Sequence, residues 1–143
     1  MRKIIVLVSV LFLIFTISSC EKDKDTTPTN PLVGLWNVEK DTYQEGQSSE
    51  QTTFYDEPNL YFIDIKSNLN WVEEEFFGSE EPTVRNFKYK IIDQQTVLCY
   101  TRNENDGFEI TYEKGNRSLI LKETGMTQDA NPVPYTYVRY LVN

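Results

Sequence analysis

The stretch "NFKYKII", residues 86–92, sorts its side chains by character as it goes. Phe87, Tyr89 and Ile91 fall on one face of an extended chain, and Asn86, Lys88 and Lys90 fall on the other. A two-residue period is that of a strand with one face against a core and one in water. The pattern recurs. In "GFEITYE", residues 107–113, Phe108, Ile110 and Tyr112 oppose Glu109, Thr111 and Glu113; in "YTYVRYLV", residues 135–142, Tyr135, Tyr137, Arg139 and Leu141 oppose Thr136, Val138, Tyr140 and Val142. Helical periodicity is scarce. Strands are therefore expected over 34–43, 51–56, 60–66, 69–77, 84–92, 96–102, 107–113, 118–123 and 135–142.

Short turns separate these strands. Ser67 and Asn68 join one pair and Asp93 to Gln95 another, while "NDG" (105–107) and "KGN" (114–116) place glycine or asparagine where a hairpin asks for positive φ. Hairpin after hairpin makes a meander, and a long meander either exposes its edges or closes on itself. The expected fold class is all-β: an antiparallel meander closed into a small barrel of about eight strands.

Residues 32–143 suffice for one such domain and not two. The preceding residues are of another kind. Residues 1–19 begin with Met1, Arg2 and Lys3, continue through an apolar run from Ile4 to Ile17 broken only by Ser9 and Thr16, and end in Ser18 and Ser19. This is the three-part layout of a secretory signal, and the run is shorter than the ~20 apolar residues of a membrane span. Residues 21–31, "EKDKDTTPTNP", hold no aliphatic or aromatic side chain and two prolines. With nothing to bury they read as a disordered tether, reaching up to about 35 Å at ~3.3 Å per residue.

Two resemblances attach to these segments. "ISSC", residues 17–20, resembles the lipobox of Gram-negative bacterial lipoproteins. It implies cleavage before Cys20 and acylation (palmitate among the chains) of that residue, anchoring the protein in the cell envelope; multiple acyl chains make such an anchor stable. Glu21, in place of the aspartate of the inner-membrane sorting rule, points to the outer membrane, with its surface and periplasmic faces left open. "CEKDKD" is similar to the charged tags of surface-exported lipoproteins, and Asp25–Thr26–Thr27 resembles a short O-glycosylation motif. The second resemblance lies in "LVGLWNVEK", residues 32–40, where Gly34 and Trp36 open the meander. It is similar to the bacterial lipocalin-like domains that follow such signals. In lipocalins the tryptophan of Gly-x-Trp plugs the closed end and an arginine near the end of the last strand packs across it, which implies Gly34, Trp36 and Arg139 as barrel-closing residues. Short loops and the lack of a helix after the last strand depart from the larger members.

Charge and composition exclude several functions. The net charge of −8 becomes −10 when residues 1–19 leave with Arg2 and Lys3 and no acid, so nucleic acid is not an expected partner. There is no histidine, which removes the commonest general base and metal ligand; neither an enzyme nor a cofactor or metal is expected. Cys99, within "TVLCYT", reads as a small buried hydrophobe. "RNENDGFEITYE" has the acid spacing of a calcium loop but puts Arg102 at the first ligand position, so it reads as a hairpin. Glu73 and Glu75 in "WVEEEFF" share a strand face, which as a carboxylate pair would suit glycoside chemistry and as a solvated edge would deter pairing; the edge reading is preferred. The aromatic load remains. It suggests a narrow pocket at the end opposite Trp36, lined by Tyr61, Trp71, Phe87, Tyr89 and Tyr137, for a small apolar or amphiphilic molecule. The alternative is a rigid interaction module for another envelope protein, as inhibitor or subunit of a surface complex.

Overall fold

The structure, a computed structural model, describes residues 30–143. The expected signal, Cys20, the expected tether up to residue 29 and the Asp25–Thr26–Thr27 motif lie outside the described residues.

Nine strands follow in order: β1 (Gly34–Glu45), β2 (Gln51–Phe54), β3 (Leu60–Ile65), β4 (Asn70–Phe76), β5 (Thr83–Ile91), β6 (Thr96–Tyr100), β7 (Phe108–Lys114), β8 (Ser118–Met126) and β9 (Pro134–Val142). From β3 onward each pairs antiparallel with the next, β3 also pairs with β1, and β9 returns to β1. The result is a closed eight-stranded barrel with β2 added to β1 outside the ring. Closure removes the edges that an open meander would expose.

β1 works harder than its neighbours. Its first part, Gly34 to Asn37, pairs with Ile65 to Phe62 of β3, and its later part, Lys40 to Tyr43, pairs with Phe54 to Gln51 of β2. Along its other edge it pairs with β9 over nearly its whole length, with a register shift between Val38 and Lys40. That bulge changes which face points inward. Trp36 and Val38 face the interior before it, and Asp41 and Tyr43 do so after it.

The interior is divided along the barrel axis. The end at which β1 begins is filled by Leu32, Trp36, Val38, Ile63, Ile65, Trp71, Tyr89, Val97, Ile110, Leu119, Leu121 and Leu141, all buried. The Trp36 Nε1 donates to the Leu32 carbonyl (2.9 Å), tying the incoming chain across this end, and the Lys114 Nζ stands 4.2 Å over the Trp36 ring. The cation over the plug tryptophan is thus Lys114 at the end of β7, whereas Arg139 lies deeper and packs over Tyr137.

Turn chemistry differs from expectation, since neither "NDG" (105–107) nor "KGN" (114–116) uses a positive φ. The β6–β7 connection is a 3₁₀ turn over Glu104–Asp106 capped by Asn103, and Gly107 has φ −89°, not a positive value. Glycine is needed there for space, because a Cβ would sit 2.9 Å from the Cys99 carbonyl oxygen. In the β3–β4 hairpin the left-handed position is taken by Leu69 at φ 65°.

Candidate functional site

At the end opposite Trp36 the barrel holds a cavity of about 390 Å³, lined by Tyr43, Tyr61, Glu73, Arg85, Phe87, Phe108, Glu123, Tyr135, Tyr137 and Arg139. These come from the late part of β1, the early parts of β3, β5, β7 and β9, the middle of β4 and the later part of β8, which the antiparallel register brings to one mouth. The volume is at the lower end of the range for small-molecule sites.

The floor is a buried ionic cluster. Glu73 and Arg139 are 4% and 3% exposed, and Arg139 Nη1 donates to Glu73 Oε1 at 2.5 Å. Glu73 also accepts from Trp71 Nε1 (3.0 Å), Tyr61 Oη (2.8 Å) and Arg85 Nε (3.1 Å). Period-two alternation explains its position, since Trp71, Glu73 and Glu75 share a face and Trp71 is core. The expectation that Glu73 forms part of a solvated edge is therefore corrected: the carboxylate points into the barrel, where four donors satisfy it. Burial pushes its pKa up, but Arg139, Tyr61 and Arg85 outweigh burial and hold it below the usual carboxylate range. Arg139 is held above its usual value because Glu73 and the surrounding tyrosines outweigh the desolvation that opposes its charge. Its Nη1 also donates to the Tyr61 hydroxyl (3.1 Å), and its Nε is buried without a partner among the described residues.

The walls are aromatic. Phe87 and Phe108 meet edge to face at 5.5 Å and 87°. Across from them Tyr43 lies 6.0 Å from Tyr135 and 6.5 Å from Tyr137. Tyr135 can lie flat against its neighbouring strand because Gly125 pairs with it; a Cβ there would come within 2.8 Å of the tyrosine ring. Each wall phenol donates to an acid: Tyr135 to Glu123 (2.5 Å), Tyr137 to Asp41 (2.6 Å) and Tyr43 to Glu45 (3.1 Å). Tyr55, just after β2, donates to Asp41 (2.8 Å), lies 3.1 Å from Glu75 and packs edge-on at 5.2 Å against Tyr61. Its bond to Glu123 pushes Tyr135 up to about 12. Burial does the same to Tyr61, to about 12, against the opposing pull of Arg139. Burial, with Asp41 beside them, raises Tyr55 and Tyr137 further, so all four stay protonated donors.

Of the residues expected from sequence, Tyr61, Phe87 and Tyr137 line this cavity together with Arg139. Trp71 and Tyr89 do not. Their rings meet at 6.2 Å and 70° in the filled half, and the Tyr89 hydroxyl donates to the Lys66 carbonyl (2.9 Å) while accepting from Asn30 Nδ2 (2.6 Å). Both belong to the same end as Trp36, because β4 begins and β5 finishes there. Gly34 and Trp36 sit at that closed end with Leu32. Tyr43, Glu73, Arg85, Glu123 and the pair Phe108 and Tyr135 complete the site. Alternation placed Phe108 and Tyr135 inward; it carries the same information for Arg85 in phase with Phe87, and for Glu123 in phase with Leu119 and Leu121, but their charges argue for solvent. Among the described residues no three His, Cys, Asp or Glu side chains are grouped as metal ligands would be.

Compared with known protein families and with curated proteins, the chain matches no family model and no curated sequence. The architecture is that of a closed antiparallel eight-stranded barrel, compatible with a lipocalin-like fold.

Proposed function

We propose that the protein is an envelope-anchored, lipocalin-like binder whose barrel holds a small amphiphilic molecule. The observation that carries this reading is the cavity itself: about 390 Å³ at one end of a barrel whose other end is packed solid, with aromatic walls and a charged, hydrogen-bonded floor. A few fixed polar groups in an otherwise apolar concavity orient a ligand and select it. In this proposal Cys20 carries the lipid anchor and the tether positions the mouth away from the outer membrane. The support for both is the lipobox-like "ISSC" and the polar segment after it.

Native mass spectrometry of the full chain extracted from its own cells tests the reading, with a retained small molecule as the expected result. A stoichiometric protein partner with an empty barrel would favour the second reading, a rigid interaction module. What speaks for that second reading is an outer-wall groove lined by Leu35, Phe62, Val72 and Phe76 between Asp64 and Glu74, with Leu35 60% exposed.

A further inference from the structure

The charges around the cavity do not cancel. Its lining contains two cations, Arg85 and Arg139, and both are engaged by acids: Arg139 by Glu73, Arg85 by Glu73 and Glu75. These four groups form a neutral set. Three more carboxylates surround the mouth, Glu123, Asp41 and Glu45, and each is held by tyrosine hydroxyls. Among the described residues none of the three forms an ion pair with a lysine or arginine. Asp41 is 6% exposed, so its charge is held largely out of water by hydroxyls alone. An ion so placed is stabilised strongly by any counter-ion that reaches it.

The phenols that hold these acids present their rings to the same space. Tyr43, Tyr135 and Tyr137 all line the cavity, with Tyr43 tilted by 31° to Tyr135 and turned edge-on at 64° to Tyr137. A hydroxyl that donates to a carboxylate enriches its ring in electron density, and an electron-rich ring face attracts a cation. Tyrosine rings beside an uncompensated carboxylate suit an ammonium group. Phe87 and Phe108 supply an apolar surface in the same cavity for whatever that group is attached to. A carboxylate head would meet Glu123, and both arginines of the lining are already paired with acids, which leaves the Arg139 Nε as their one buried donor without a partner among the described residues.

We propose that the ligand of this cavity is a small organic cation, its ammonium head seated between Tyr43 and Tyr135 beside Glu123, away from the Tyr137 ring that Arg139 already covers, and its slim hydrocarbon or aromatic body lying against Phe87 and Phe108. The assignment rests on the reading of the cavity as a binding site. Three compounds with one body and different heads test it: phenylbutylamine, phenylbutanol and phenylbutyrate, titrated calorimetrically at neutral pH into the full chain in phosphatidylcholine nanodiscs, with empty discs as blank. The amine should bind at least about tenfold more tightly than the alcohol, equivalent to ~1.4 kcal/mol, and the carboxylate more weakly than either. Glu123→Gln should abolish that preference by weakening the amine alone. If the alcohol or the carboxylate binds as tightly as the amine, or if Glu123→Gln weakens amine and alcohol equally, the cation assignment falls while the cavity still stands as a binding site. If none of the three binds, both fall.

Discussion

Removing Glu73 should do more damage than removing Arg139, although the two form one ion pair. Glu73→Leu leaves the Arg139 guanidinium, 3% exposed, with a hydroxyl for company and no carboxylate. A guanidinium does not shed its proton, and stranding a buried charge costs about 3–5 kcal/mol. Arg139→Met leaves Glu73 with Arg85, Tyr61 and Trp71 as donors. Because the Arg85 side chain is 42% exposed, that remaining pair keeps access to water, and a cost of about 1–3 kcal/mol is expected. The double variant removes both charges and should be more stable than Glu73→Leu alone. For a domain of this size ~1 kcal/mol moves the melting temperature by roughly 3–6 °C, so Glu73→Leu should lower it by roughly 9–30 °C. Urea titrations followed by circular dichroism would give the three free energies. The acid limb adds a second reading. The folded pKa of Glu73 is depressed, so its contribution is complete above the unfolded value near ~4.3 and disappears as pH falls through the lower folded value. Glu73→Leu should therefore lose less stability on acidification than the native chain. An Arg139→Met cost equal to or above that of Glu73→Leu, or strict additivity in the double variant, would refute this account of the cluster.

Trp36→Ala should cost about 3–5 kcal/mol as a large-to-small change in a filled end, since the ring is 2% exposed and its Nε1 holds the Leu32 carbonyl; a thermal shift near zero would place its packing elsewhere. Cys99 is fully buried and burial pushes its thiol up to about 12, so in a Cys20→Ala background it should resist alkylation at mildly basic pH and react promptly in denaturant. Cys20→Ala should also abolish fatty-acid labelling and leave the precursor uncleaved, as read by metabolic labelling and gel migration.

Alternation in residues 86–92, 107–113 and 135–142 places the strands and most of their faces, and the short turns between them imply closure. Ile91 is the correction, expected inward with Phe87 and Tyr89 but 43% exposed at the end of β5, past the filled end of the barrel. The site was only partly legible. Glu73 and Arg85 lie in phase with core residues, yet a charged side chain within a strand is ordinarily a reason to assign it to water, and only the assembled cluster of donors reverses that. Trp71 and Tyr89 were assigned to the pocket by ring type, and which end of a barrel a ring occupies depends on the direction of its strand and its distance from the turn. Tyr43 was hidden by the bulge: counting in twos from Trp36 sends it outward, and the extra residue near Glu39 returns it to the interior. Lys114 over Trp36 is a contact between distant strand ends that no local pattern contains.

The forked pairing of β1 divides the wall into two parts that are held differently. Below the Asn37–Phe62 pair, β1 and β3 are joined by backbone hydrogen bonds. Above it β1 turns to β2, and the side-chain contacts that span from β1 to β3 and β4 converge on Tyr55, through Asp41, Glu75 and the Tyr61 ring. These two kinds of join open on different clocks. A ladder separates only by breaking amide bonds together, whereas a phenol swings aside in a single rotamer change. Tyr55 is also tied to β1 through its backbone, its N–H donating to the Glu39 carbonyl (3.0 Å), so the upper wall is held by one amide bond and one phenol where the base is held by a continuous ladder, and local opening should be easier above the Asn37–Phe62 pair than below it.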